Sequence, residues 1–300
     1  MKVNSLSEVD KINGNLGEPM SDSSLINQYY LSQEARRHAT VFLTGDGGDE
    51  AFCGYNEYIK SNKAKSYLTA LSAAGKLLYS PYKMLVNKDS NLKQQLSKLS
   101  AGPAYIGTSI RNNYLEPVIN SLLSEDYRVD ESLVTKQIHD FWDSTKGLPL
   151  VKRMQHFDYK NYLEPDVLVK ADRATMANSI EARSPFLDYR LVELAMGIPG
   201  ELNMDKNKGK LLLRKLASKH LPEVVTNAPK KGFGLPIQHW IDKSIRISLV
   251  NLNRENGHGI WDPKTFDYVA WLPFSSYSTH AIFWRLWMFE IWYKNNFKNG

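Results

Sequence analysis

Val41-Phe42-Leu43-Thr44-Gly45-Asp46-Gly47-Gly48-Asp49-Glu50-Ala51-Phe52-Cys53-Gly54-Tyr55 is a short apolar run that breaks into glycines and carboxylates and then resumes as a helix-compatible segment. Val41, Phe42 and Leu43 put apolar side chains on both faces of a strand, the pattern of a parallel sheet's interior, which is covered on both sides. Ligands of such sheets bind beyond the carboxyl ends of the strands, where this loop would sit. Gly45, Gly47 and Gly48 let the backbone come close to a ligand and turn successive N–H groups toward an anionic oxygen. Asp46, Asp49 and Glu50 would repel a bare phosphate. A divalent cation between them resolves the conflict, and so does one carboxylate handling a proton while another orients a cation. An acidic helix start, with Asp46 or Asp49 as N-cap and Glu50 favoured by the dipole, accounts for the same residues equally well.

On the amino-terminal side, residues 1–17 are polar and punctuated by Gly14 and Gly17, which predicts a frayed lead or the stump of an element whose partners lie upstream. Asp22, Ser23 and Ser24 offer N-caps to a helix carrying Leu25, Ile26, Tyr29, Tyr30 and Leu31. Residues 18–60 therefore read as the end of an α/β layer. Residues 61–300 read as helical, with hardly any alternating or β-branched run after Tyr55. Tyr67, Leu68, Leu71, Leu77, Leu78 and Met84 fall at helical steps, punctuated by Pro81 and Pro103. A second helical set runs from Leu150 through Met154, Phe157 and Tyr162, and Pro165 is placed to open the next helix.

On that next helix Lys170 and Arg173, three apart, share a face and can grip phosphate together or pair with acids such as Asp166. Glu181, Arg183 and Asp188 surround the apolar turn Pro185-Phe186-Leu187. Arg183 can present a bidentate fork to a ligand or make a structural ion pair with Glu181 or Asp188. Asn227 to Pro236 reads as a loop whose Lys230 or Lys231 can reach a polyphosphate, although solvated lysines are the usual fate of such residues. Trp261 to Phe274 reads as irregular, and His280 to Tyr293 as a buried terminal helix too short and too charged to span a bilayer.

A chain of 300 residues, 42% hydrophobic and 23% charged, can bury a full core. The net charge of +6 is spread over segments such as Lys60 to Lys65 and Lys206 to Lys219, so a solvated surface explains it and no nucleic-acid partner is expected. One cysteine excludes an internal disulfide and fits a reducing compartment. Without a signal-peptide core or a bilayer-length apolar run, the expected location is cytoplasmic, with no membrane partner.

The acidic glycine stretch resembles the Ser-Gly-Glu-Gly-x-Asp-Glu-x-Phe-Gly-Gly-Tyr signature of the synthetase domain of glutamine-hydrolysing asparagine synthetases. Three further blocks resemble that family in the right order. They are Glu18-Pro19-Met20-Ser21-Asp22-Ser23-Ser24, then Val169 to Met176 followed by Glu181 to Asp188, then Pro229-Lys230-Lys231-Gly232-Phe233-Gly234-Leu235-Pro236 preceded by Gly209-Lys210 and Arg214. Two family features are not found in the sequence: the cysteine nucleophile of the N-terminal glutaminase, since Lys2 follows Met1, and the Ser-Gly-Gly-x-Asp-Ser ATP loop, since the Gly47-Gly48 pair stands in another context.

The resemblance implies a partial asparagine synthase domain over residues 1–300. Its fold would be α/β and predominantly helical, a partial adenine-nucleotide alpha-hydrolase-like (PP-loop or HUP) parallel sheet edge followed by a large helical region. It implies ATP and Mg²⁺ as cofactors, aspartate or another carboxylate as acceptor, ammonia derived from glutamine, and a polypeptide supplying the missing pieces. Asp46 matches the family's proton-managing glutamate and Lys230 the lysine at the α-phosphate. Thr44 and Gly45 match nucleotide contacts, Asp49 and Glu50 the region where metal meets phosphate, with Asp49 as metal ligand. Asp22, Arg173, Glu181 and Arg183 would line the ATP or substrate site. Asp46 is one methylene shorter than glutamate, a shift of about an ångström, which can cost on the order of a hundredfold in rate. That departure keeps open a non-aspartate acceptor such as a surface polysaccharide, as well as an inactive binding module. A ligase of the β-lactam-forming type would carry tyrosine at position 46.

Overall fold

A computed structural model describes residues 6–13, 16–62, 120–239, 241, 243–272 and 277–298. The helical pattern expected between Tyr67 and Pro103 lies outside the described residues. Elsewhere the fold is mostly helical with a small parallel sheet. β1 (Val41–Leu43) pairs in parallel with β2 (Glu181–Arg183), Val41 opposite Glu181 and Leu43 opposite Arg183. β2 was not expected from the sequence, because three residues without β-branching are too few to show alternation. It also means that the part read as helical contributes a strand. The expected burial of β1 on both faces is corrected too, because Val41 is 43% and Leu43 75% exposed. Among the described residues the sheet has two strands, so no third strand lies against β1's outer edge.

The polar lead is not frayed over its whole length. Residues Leu6–Asn13 form α1, and Val9, Ile12 and Leu16, spaced three and four apart, are buried against the terminal helix Tyr277–Tyr293. Side chains hold the two segments together: Asn13 Nδ2 donates to the Met288 carbonyl at 2.7 Å, and Trp292 Nε1 donates to the Leu16 carbonyl at 3.2 Å. The terminal helix is buried as its sequence predicts, with Phe283, Trp284, Leu286 and Trp287 all enclosed. The expectation of an irregular segment after Trp261 is corrected, since Pro263–Ala270 is a helix. Asp262 caps it by accepting from Thr265 N at 2.9 Å, with Pro263 at the first helical position.

Pro165 likewise opens no new helix. Leu150–Asp158, a π-helical stretch Tyr159–Leu168 and Val169–Met176 follow one another without interruption, and Pro165 sits inside the π-helical part. The altered hydrogen-bond register there accommodates a residue that lacks an N–H and would break a regular α-helix. The Val169–Met176 end packs on α2 (Ser24–Ala35), and Gln155 Nε2 donates to the carbonyls of Glu50 at 2.5 Å and Ala51 at 3.1 Å. Those bonds fix α3 (Gly48–Ala51), the short helix that follows the acidic turn, against the long helical run.

Candidate active site

β1 delivers the chain into the turn Thr44 to Gly47, which passes Gly47 in the left-handed region (φ 81°) before α3 begins. A glycine is required there, because a Cβ would also run into the Leu187 side chain. The half-buried Asp46 is fixed from two sides: Thr44 Oγ1 donates to Asp46 Oδ2 at 2.9 Å, and Ser184 Oγ donates to the Asp46 carbonyl at 2.5 Å. The turn Pro185–Leu187 underlies it, with Phe186 meeting Phe52 edge to face at 6.0 Å. Glu50 is buried and accepts from Tyr55 Oη at 2.7 Å.

Asp49 occupies the centre of the charge pattern. Lys210 Nζ lies 3.1 Å from its Oδ1 and Lys230 Nζ 2.8 Å from its Oδ2. Burial alone would push the Asp49 carboxyl up, but the charge of Lys210 and the hydrogen bond from Lys230 hold it below the usual carboxylate range. Two glycines make this proximity possible. A Cβ on Gly54 would overlap Asp49 Oδ1 and Lys210 Cε, and one on Gly209 would overlap the Cys53 carbonyl. Cys53, where the resembling family has glycine, adopts φ 53°.

The lysine loop is held at both ends. Arg214 donates to the carbonyls of Gly209, Thr226 and Ala228 on its near side. On the far side Asn27 Nδ2 donates to the Phe233 carbonyl at 2.7 Å, and Leu235 N donates to Ser23 Oγ at 3.2 Å.

A cavity of about 960 Å³ joins these parts; its lining includes Asp22, Thr44, Gly45, Asp46, Asp49, Glu50, Lys170 and Lys230. Opposite the acidic turn, Lys170 is buried and ion-paired with Asp22, with Asp166 at 4.0 Å. Asp22 also accepts from Ser24 N at 2.8 Å, so it caps α2 while facing the cavity. Burial pushes the Asp22 carboxyl up, but Lys170 draws it below its ordinary value. Burial and then the charge of Asp22 push Asp166 up to about 6.

The two kinds of shift have opposite consequences. Asp22 and Asp49 contribute stability above their ordinary value of 3.8 that is lost as pH falls through their lowered values. Asp166 contributes stability below 3.8 that is lost as pH rises through about 6. Asp166→Asn is therefore expected to raise the melting midpoint relative to the parent protein at pH 7.5 and to bring the two together near pH 4. Thermal unfolding measured across that range checks it, and a constant difference at every pH refutes it.

Arg173, Glu181 and Arg183 are not among the residues lining this cavity. Arg173 is exposed and borders a separate small depression with Leu16, Glu18 and Val169, so Lys170 and Arg173 part company although they are three apart. Arg183 Nε donates to Glu181 Oε1 at 2.7 Å in an exposed pair, the structural alternative of the two. Asp188 caps the following helix by accepting from Arg190 N at 3.0 Å, and the Arg190 side chain and backbone hold it down to about 2. Asp166 lies beside Lys170 as the ion-pair alternative expected, while Lys210, named only within a family block, was given no role in the site: a left-handed lysine directly after Gly209 leaves no periodic trace.

No group of three or more His, Cys, Asp or Glu side chains able to hold a metal occurs among the described residues. Asp49 is ion-paired with both lysines, so a divalent cation held there would displace at least one of them and take its other ligands from substrate phosphates and water.

Fold and site together define an α/β chain with an acid and lysine cleft at the carboxyl end of a parallel strand. Residues 3–294 match the asparagine synthase family model, and the chain belongs to that family. It is 31% identical over 300 residues to asparagine synthetase [glutamine-hydrolyzing] 1 of Bacillus subtilis, covering 97% of this chain and 46% of that protein. It is 32% identical over 231 residues to a putative asparagine synthetase [glutamine-hydrolyzing] of Mycobacterium tuberculosis, covering 75% of this chain and 34% of the relative. The chain thus spans half or less of the length of these relatives.

Proposed function

We propose that this chain is the synthetase portion of an asparagine synthetase-type ligase, which adenylates a carboxylate, aspartate in the first instance, and transfers it to ammonia derived from glutamine. The observation that carries the reading is that Asp46 and Lys230 line one cavity with Asp49 between them. The cavity is within the range of pockets that take drug-sized ligands. A carboxylate is a poor acyl donor until one oxygen becomes part of a leaving group. An acceptor oxygen attacks the α-phosphorus of ATP, the α–β P–O bond breaks and pyrophosphate leaves. Ammonia nitrogen then bonds the acyl carbon, the C–O bond to AMP breaks, and the nitrogen's surplus proton passes to Asp46.

Lys230, released from Asp49, counters the charge that accumulates at the α-phosphate, and Thr44 keeps Asp46 oriented as base. The nucleotide-binding layer in this reading is of the adenine-nucleotide alpha-hydrolase-like kind, with the remaining strands, the ATP loop and the glutaminase supplied by further polypeptide. The test is exchange of labelled pyrophosphate into ATP in the presence of aspartate, with and without that polypeptide. Exchange is expected only when both are present, and Lys230→Ala is expected to lower it by about a hundredfold. No exchange with either aspartate or other carboxylates would leave the chain a binding module. The short Asp46 favours a second reading for the acceptor alone: exchange with a polysaccharide carboxylate and none with aspartate would establish it.

A further inference from the structure

We infer that Ser184 is a positioning residue for Asp46 and serves the amide-forming half of the reaction alone. The inference rests on the synthetase reading and deepens it, by dividing the work of the site between two acids that are held separately. Ser184 directly follows β2 in extended backbone (φ −108°, ψ 111°), is half-buried and lies outside the cavity lining, so it acts on Asp46 from behind the cleft. Its hydroxyl carries one proton. The 2.5 Å bond to the Asp46 carbonyl takes that proton, and the Thr44 carbonyl at 3.4 Å is a distant second acceptor for the same group. One residue earlier, Thr44 N donates to the Arg183 carbonyl at 2.8 Å. Consecutive residues at the end of β2 therefore hold residues 44 and 46, on either side of Gly45.

Gly45 is where such a hold is needed. It is exposed and a Cβ built on it would meet nothing within 4 Å, so packing does not set the dihedrals of a residue that already has the widest backbone freedom. Past Asp46 the chain is packed again, with Gly47 against Leu187 and Gly48 against Phe186. Gly48 N closes the turn on the Gly45 carbonyl at 3.2 Å, but the hydrogen bonds made to Asp46 itself come from two hydroxyls, Thr44 on the carboxylate and Ser184 on the carbonyl. A short acid has no spare length with which to make up for a turn that wanders.

Asp49 is held by other means. Its partners are Lys210 at 3.1 Å and Lys230 at 2.8 Å, and Gln155 pins α3 through the Glu50 and Ala51 carbonyls. None of these bonds passes through Ser184. Removing its hydroxyl therefore loosens the proton acceptor and leaves the phosphate side in place.

The experiment compares Ser184→Ala and Ser184→Thr with the parent chain, each with the polypeptide that completes the nucleotide layer. Exchange of labelled pyrophosphate reads adenylation, and amide formation from ammonium chloride reads the later step that needs the proton acceptor. With Ser184→Ala, kcat for amide formation is expected to fall between about tenfold and about a hundredfold, the scale of a misplacement approaching an ångström. The acceptor KM and the exchange rate are expected to stay within about twofold of the parent's. Ser184→Thr returns the hydroxyl and is expected to recover most of the loss. A joint fall of both half-reactions, an unchanged rate of amide formation, or no recovery with threonine each overturns the inference. On the chain alone, the three-bond Hα–Hβ coupling of Thr44 reads the same tether: one rotamer in the parent and in Ser184→Thr, an average over rotamers in Ser184→Ala. An unchanged coupling in Ser184→Ala also overturns it. Absence of exchange in the parent defeats the synthetase reading only, because the Thr44 coupling still decides whether Ser184 holds the turn.

Discussion

Gly54→Ala is expected to destabilise the protein by about 1–3 kcal/mol, the usual cost of forcing a methyl group into filled space, and to separate the acidic turn from Lys210. The added Cβ would overlap Asp49 Oδ1 and Lys210 Cε and lie 2.8 Å from Asp49 Cγ. Both contacts are with side-chain ends, which must swing apart to admit it. The two backbones stay in place, since Gly54 N donates to the Asp49 carbonyl at 2.7 Å and Lys210 N donates to the Phe52 carbonyl at 3.0 Å. Pushed apart, Asp49 loses a lysine and its carboxyl moves back up as burial reasserts itself. Chemical denaturation measures the first effect and carbon-detected titration of the Asp49 carboxyl the second. Gly209→Ala presses on the same contact from the other side, and the double variant is expected to lose less than the two single losses added, because the first has already opened the gap. Full additivity would show that the two glycines serve unrelated contacts.

Glu290→Ala is expected to cost about 3–5 kcal/mol, the range for breaking a buried polar network by removing one partner. Its fully buried carboxylate accepts from Asn256 Nδ2 at 2.6 Å, Trp261 Nε1 at 2.5 Å and His258 Nε2 at 3.0 Å. Ile260 N donates to His258 Nδ1, so the imidazole carries its proton on Nε2 and points it at the acid. Alanine would strand the Trp261 and His258 donors and leave Asn256 Nδ2 only the backbone carbonyl of residue 290, each lost bond a desolvation cost without return. Glu290→Gln keeps one acceptor oxygen but turns an amide N–H₂ toward other donors, so it is expected to lose a smaller part of the same stability. Denaturation followed by tryptophan fluorescence reads both, because Trp261 is a member of the network. Equal stability of parent and alanine variants would mean that water replaces the acid in a space that looks dry.

The contrast between what could and could not be read from the chain follows from range. Asp22 before Ser24 and the glycine turn after an apolar triplet are local signals, because capping and backbone conformation are decided within a few residues. The terminal helix announced itself by composition, and its Glu290 is buried because distant residues supply donors. β2 was missed because three residues carry too little pattern, and the exposure of β1 because the sheet has two strands among the described residues where a parallel sheet interior was expected. α1 was masked by polar residues although Val9, Ile12 and Leu16 keep helical spacing. Within the site, the family blocks led to Asp46, Asp49 and Lys230, but Lys210 reaches Asp49 only because Gly54 and Gly209 admit two distant backbones to each other. Arg183 had two readings, a fork for a ligand and an ion pair with Glu181 or Asp188, and its nearest partner on the same strand face took it.

Arg214 grips the stretch before Pro229, and Ser23 with Asn27 grips it again from Phe233 onward. Only the four residues Pro229 to Gly232 span the gap, a bridge pinned on both banks. A lid pivoting on one hinge would have to break one of these two sets of bonds, whereas rotation of its own side-chain bonds is enough to take Lys230 off Asp49. Whatever enters the cleft trades places with a carboxylate at the tip of a fixed arm, and the segment bearing the arm has no need to lift.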